Sequence, residues 1–249
     1  MSDARRDSTA QQVRAARGKF AAMAGTYSLG VLNDNVFKQA ACLLAVYVGK
    51  PHLQDTAVVV FTLPWLLFAA WAGWAADRFA KRHVVIVAKG LELAAMLCGG
   101  LGIIFVNWPL VMVMMFLMAL QSTLFSPAIN GSIPELFPGE YVFRANSRLK
   151  SMIMAGNLVG IILAGVILDI DRPVAGIELG RWIIGVGVVV IALVGVLMSL
   201  GVARKPAADP QARFPRVGPL QTLRELWQLR RDPLLATVVV ADAFMWFVA

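Results

Sequence analysis

An aspartate and a lysine stand one helical turn apart inside the first apolar stretch, as Asn33-Asp34-Asn35-Val36-Phe37-Lys38. A charge at the centre of a membrane helix costs roughly 2.5–3.5 kcal/mol on insertion scales, so such side chains face a helix bundle or a hydrated cavity. The spacing puts Asp34 and Lys38 on one helix face, where they can partly neutralise each other, and Tyr27 and Gly30 continue that face. Asn33 and Asn35 point about 100° to either side, so the three polar residues cannot line one surface. Two readings stay open. One is an internal ion pair that locks this helix to its neighbours. The other, favoured by the usual role of intramembrane charge, is a polar patch in the path of a substrate.

Other polar residues lie at membrane depth. Lys89 and Glu92 are three apart, and a structural pair is the expected reading. The fourth apolar run ends in a polar stretch from Gln121 to Glu135, with Pro127 expected to disturb the helix. Asn146, Lys150 and Asn157 form one helical stripe, beside a small-residue packing surface at Gly156 and Gly160. Met112, Met114, Met115 and Met118 read as adaptable wall residues, lipid-facing or core, and not as a substrate box. Cys42 and Cys98 sit in apolar runs as small hydrophobes, so neither a disulfide framework nor a metal site is visible. No Gly-rich phosphate loop occurs, His52 and His83 merely flank apolar runs, and no cofactor is implied.

The elements that must position these residues are membrane helices. Apolar residues make up 59% of the 249 residues and charged residues 15%, and mean hydropathy is +0.70. No single soluble core could hide that much apolar surface, so the lipid bilayer is the expected surrounding. Spans are expected at Phe20–Val48, Thr56–Ala76, Val84–Val106, Pro109–Ala128, Leu149–Leu168 and Trp182–Val202. A further apolar run starts at Pro233, with Asp232 as its N-cap. It is still apolar at Ala249, and the expectation is that the parent protein continues into a second half. The chain thus divides into a tail at 1–19, a six-helix bundle at 20–202, a central loop at 203–232 and the start of a seventh helix at 233–249.

The formal charge of +8 does not point to nucleic acid, because the basic residues cluster between apolar runs. Arg5, Arg6, Arg14, Arg17 and Lys19 precede the first span. Arg204, Lys205, Arg213, Arg216, Arg224, Arg230 and Arg231 follow the sixth, whereas the opposite side holds Lys50, Arg172 and Arg181. The amino terminus and central loop are therefore expected in the cytoplasm. The loop's first part, with Pro206, Pro210, Pro215 and Pro219, reads as an extended linker. Its second part has Leu220, Leu223, Leu226 and Trp227 at helical spacing. It is an amphipathic helix, either in the headgroup region or packed as a linker helix.

Between the second and third spans stands Gly73-Trp74-Ala75-Ala76-Asp77-Arg78-Phe79-Ala80-Lys81-Arg82. Glycine allows close helix approach, Asp77 can cap or pair at a helix terminus, and the basic residues hold the cytoplasmic face. The motif and its place resemble the loop between helices 2 and 3 of the major facilitator superfamily. That resemblance implies an all-α membrane protein, the N-terminal six-helix bundle of a 6+6 plan plus the start of a seventh helix, working by alternating access. Gly73, Asp77, Arg78, Lys81 and Arg82 would then form a conformational latch. The stretch from Asn33 to Lys38, the Asp77 loop, Gln121 through Leu136, and Arg144-Ala145-Asn146 together resemble the lysophospholipid transporter family of Gram-negative bacteria, over about residues 20–170.

Members of that family move lysophospholipids, chiefly lysophosphatidylethanolamine, between leaflets of the inner membrane. The product is reacylated at the cytoplasmic side, in some bacteria by fused acyltransferase and ligase domains. The expected substrate contacts are Asp34 to the head-group ammonium, Lys38 or a cation of the second half to the phosphate, and Asn35, Gln121 and Asn157 as neutral hydrogen-bond partners. A proton-coupled drug or metabolite transporter is the alternative. A third possibility is the membrane module of a fused acyltransferase–ligase, although nothing within residues 1–249 has catalytic spacing.

Overall fold

A computed structural model describes residues 3–202, 206–229 and 231–248. Arg204, Lys205 and Arg230 lie outside the described residues. The elements are α1 (Asp3–Tyr47), α2 (His52–Arg78), α3 (Lys81–Ile104), α4 (Trp108–Leu136) and α5 (Gly139–Leu168), then strands β1 (Pro173–Val174) and β2 (Ile177–Glu178). They continue with α6 (Leu179–Ser199), α7 (Gly218–Leu229) and α8 (Pro233–Val248). Helices α2 to α6 are each long and apolar enough to cross a membrane, making this a multi-pass membrane protein. Helix α1 falls outside that set, since its polar residues dilute its hydropathy, yet Asn33, Phe37 and Ala40 are fully buried along it. No residue in 23–45 is exposed, and the helix contacts α5 and α6 and, more lightly, α2, α3 and α4.

Several elements outrun their apolar runs. The polar stretch before Phe20 is itself helical from Asp3, because Val13 and Ala16 are buried beside Phe137 and Tyr141. Phe20 meets Phe137 edge-on with centroids 5.3 Å apart. Pro127 and Pro134 are both contained within α4, which runs on to Leu136 and does not stop near Ala128. Asn107 caps α4, its side-chain oxygen accepting from the Leu110 amide at 3.2 Å. Between α5 and α6 a small antiparallel hairpin turns through Ala175 and Gly176, both at positive φ, an element the hydrophobic pattern gives no hint of.

Helix contacts use missing side chains. An added Cβ on Gly100 would lie 2.5 Å from the Gly185 carbonyl oxygen, so α3 and α6 meet backbone to backbone. The expected Gly156–Gly160 surface serves the same purpose, packing α5 against α1 at Ser28 and Leu32. The buried apolar residues form two clusters. One, near the Asp77 loop, includes Met23, Ala88, Phe125 and Leu149; the other, toward the hairpin, includes Phe37, Ala95, Met118 and Ala164. Between them runs a layer holding the buried polar residues Asn33, Lys89, Glu92 and Gln121.

The chain after α6 is docked on α2. Trp71 Nε1 donates to the Pro215 carbonyl at 2.8 Å, and Trp74 Nε1 to that of Ala212 at 3.1 Å. Phe214 stacks parallel to Trp71 and meets Trp74 edge-on with centroids 5.0 Å apart. The Asp209 amide donates to the Asp77 carbonyl at 3.0 Å. Aromatic pairs contribute about 0.5–1.5 kcal/mol each. Replacing Phe214 by alanine should therefore speed tryptic cleavage after Arg213 and Arg216 by roughly tenfold, measured by limited proteolysis in detergent.

Candidate functional site

Helix α1 presents three faces at the polar layer. Asn33 turns to α6, its Nδ2 donating to the Val188 carbonyl at 2.9 Å. Asn35 turns to α5, its Nδ2 shared between the Val31 carbonyl and Asn157 Oδ1, each at 2.7 Å. The third face, with Tyr27, Gly30, Val31, Asp34 and Lys38, borders a cavity of about 260 Å³. Opposite it stand Phe61 and Trp65 from α2, Lys89 and Glu92 from α3, Gln121, Ser122, Phe125 and Ser126 from α4, and Ile153 and Asn157 from α5.

The cavity thus collects Asp34, Asn35, Lys38, Gln121 and Asn157 from three helices. Asn146 and Lys150, from the expected stripe on α5, are exposed and do not reach it. No ion pair joins Asp34 and Lys38 among the described residues, so their helical spacing does not make a lock. Lys38 rests its ammonium 5.3 Å from the centre of the Phe61 ring. Asp34 Oδ1 is buried and has no hydrogen-bond partner among the described residues, although Ser122 hydrogen-bonds the carboxyl group. A buried carboxylate oxygen without a partner carries a desolvation cost that an incoming donor would offset. Gln121 is buried, with Nε2 donating to Ser122 Oγ at 3.0 Å.

Two charged residues join the wall that sequence reasoning had set aside as structural. Lys89 and Glu92 pair at 2.5 Å, each 1% exposed, and Lys89 Nζ lies 5.0 Å from the centre of the Phe125 ring. With Asp34 and Lys38 they give the cavity two carboxylates and two ammonium groups, formally balanced. The rest of the lining is mostly aromatic and aliphatic. Such a site suits a guest with a polar, doubly charged end and an apolar remainder.

The Asp77 loop lies apart from this cavity. Lys81 is buried, bonding the Gly131 carbonyl at 3.0 Å and pairing with Glu135 near the end of α4. Arg82 donates to the Leu200 carbonyl at 2.8 Å, placing a cation at the carboxyl end of α6, where the helix dipole favours it. Asp77 is exposed and Arg78 half-buried. Gly73 does not mediate close helix approach within the described residues: an added Cβ would meet nothing within 4 Å.

Comparison with known proteins places these features in a family. The model of the Major Facilitator Superfamily matches residues 20–249, nearly the whole chain. The chain belongs to the major facilitator superfamily. Among similar proteins, the lysophospholipid transporter LplT of Klebsiella pneumoniae subsp. pneumoniae is 30% identical over 188 residues, 73% of this chain and 42% of that protein. LplT of Escherichia fergusonii is 33% identical over 154 residues, 59% of the chain and 36% of the relative. LplT of Salmonella typhimurium is 34% identical over 148 residues, 57% and 34% of the two chains. This superfamily member therefore spans less than half the length of the curated relatives it matches.

Proposed function

We propose that the chain forms one half of a secondary transporter that carries lysophospholipid across the bacterial inner membrane by alternating access. The similarity to three lysophospholipid transporters supports the substrate class. The observation that carries the reading is the buried, unpartnered oxygen of Asp34 on a cavity wall that also bears cations and aromatic rings. The Asp34 carboxylate would receive the ethanolamine ammonium, and Lys38 or a cation of the second half the phosphate. Asn35, Gln121 and Asn157 would supply neutral hydrogen bonds, and the acyl chain would lie along the apolar lining or toward lipid.

Superfamily halves rock about a midplane site. The first half would move as a unit because Lys81 and Arg82 tie the start of α3 to the ends of α4 and α6. We place that loop and the amino terminus in the cytoplasm, on the excess of lysine and arginine there. Gly73, Asp77, Arg78, Lys81 and Arg82 would act there as a latch, with the exposed Asp77 available to the second half. A cytoplasmic acyltransferase and ligase would consume the delivered lipid.

The test is uptake of labelled lysophosphatidylethanolamine by the full-length protein in proteoliposomes. Uptake above protein-free vesicles is expected, with no change when a protonophore collapses an imposed proton gradient. Lack of uptake defeats the lipid assignment. Uptake that needs the gradient moves the reading to a proton-coupled transporter, with Asp34 as the proton carrier.

A further inference from the structure

The Lys89–Glu92 pair gains little as a structural device. Both partners belong to α3, at positions i and i+3, so the ion pair itself joins no two helices, and its reach to α4 is the contact of the Lys89 ammonium with the Phe125 ring. An intrahelical pair of this kind stabilises a helix only slightly in water, whereas burying two charges is expensive. Leucine or methionine would fill the same space without that cost. The neighbouring α1 helix is instead cut back to admit it. A Cβ on Gly30 would come within 2.5 Å of Lys89 Nζ and 3.4 Å of Glu92 Oε2. Gly30 lines the cavity one turn before Asp34 on the same face of α1. The missing side chain is a window through which the ammonium borders the cavity. Lys38, the alternative cation, already rests on Phe61.

We infer that Lys89, reaching the cavity past Gly30, is the receptor for the phosphate of the lipid headgroup, and that Glu92 is the internal anion which the phosphate displaces. This rests on the lysophospholipid reading and assigns its second polar subsite. In the empty cavity Glu92 holds Lys89 neutralised. When a zwitterionic headgroup enters, its phosphate takes the ammonium of Lys89. Its own ammonium then faces two carboxylates, those of Asp34 and Glu92, so no charge is left buried alone.

The experiment measures saturable binding of labelled lysophosphatidylethanolamine to the purified full-length protein. Monoacylglycerol of the same chain length serves as a phosphate-free probe, and melting temperature is followed in parallel. Lys89→Gln should weaken binding of the phospholipid roughly tenfold and leave monoacylglycerol binding unchanged. Glu92→Gln should leave phospholipid binding near wild type, because the freed Lys89 offsets the loss of one of the two carboxylates that face the headgroup ammonium. A purely structural pair behaves differently. Both single variants then bind less and melt lower together, and Lys89→Met with Glu92→Met restores both, an outcome that overturns the inference. Wild-type binding with Lys89→Gln unaltered overturns it alone. A wild-type protein that shows no saturable phospholipid binding overturns the transport reading as well. Displacement of the lipid by inorganic phosphate would move the subsite from a lipid headgroup to the free anion and also overturn it.

Discussion

Replacing Asp34 by asparagine should lower uptake of lysophosphatidylethanolamine roughly 10- to 100-fold while the protein remains folded. The estimate follows from the contact that is lost. A hydrogen bond to a charged group contributes about 1.5–3 kcal/mol, and about 1.4 kcal/mol corresponds to a factor of ten. The substitution keeps size and removes charge. Among the described residues Asp34 has no ion-pair partner and its Oδ1 accepts no hydrogen bond, and the side-chain hydrogen bond to its carboxyl comes from Ser122, which can also bond an asparagine oxygen. Melting temperature in detergent should therefore stay close to wild type, since the substitution preserves size and polarity. Transport assays with Asp34→Asn and Asp34→Glu side by side make the check. Undiminished uptake by the asparagine variant would remove Asp34 from the substrate path.

A large loss of stability is expected from Gly160→Val. A Cβ there would stand 2.7 Å from the Leu32 carbonyl oxygen and 3.2 Å from the Val36 amide nitrogen. These are backbone atoms of α1, so no rotamer change relieves the contact and the helices must separate. Overpacking costs about 1–3 kcal/mol, and valine adds two further methyl groups. The separation would also stretch the 2.7 Å bond between Asn35 and Asn157, so transport should fall with stability. Gly165→Ala is the matched control, because a Cβ at Gly165 meets nothing within 4 Å. It should melt at or slightly above wild type, given alanine's better helix propensity. Equal melting temperatures for the valine variant and wild type would contradict the α1–α5 packing described above.

The membrane helices were legible because each apolar run must be long enough to cross the bilayer. Their ends were not, since Val13, Ala16 and the early turns of α5 form helix under polar sequence by packing against one another at the bundle's end. Pro127 misled for a related reason: the Asp77-side extension of α4 is held by Lys81 through Gly131 and Glu135, and local propensity yields to those contacts. The candidate site was half visible. Charge inside an apolar run exposed Asp34 and Lys38 directly. Lys89 and Glu92 carried the same signal, but their spacing allowed a self-contained pair and concealed their place on the cavity wall. Depth would have found them. Asp34 lies 13 residues before the end of α1 at Tyr47, Glu92 lies 12 before the end of α3 at Ile104, and Gln121 lies 13 after the start of α4 at Trp108. At 1.5 Å per residue these three meet at one level of the bundle. Gly73 shows the converse, a motif residue whose expected close contact is absent from this half.

The docking of Phe214, Ala212 and Pro215 on Trp71 and Trp74 bears on how far a following bundle could wander. A free linker of this length would let its two ends drift apart like a slack rope. Here the rope is cleated to α2 before α7 begins, and α7 itself lies along α2. Asp232 Oδ1 accepts from the Leu234 and Leu235 amides and fixes the start of α8. A movement passed back from α8 therefore tugs on two indole rings beside Asp77, which makes those indoles a built-in strain gauge readable by fluorescence.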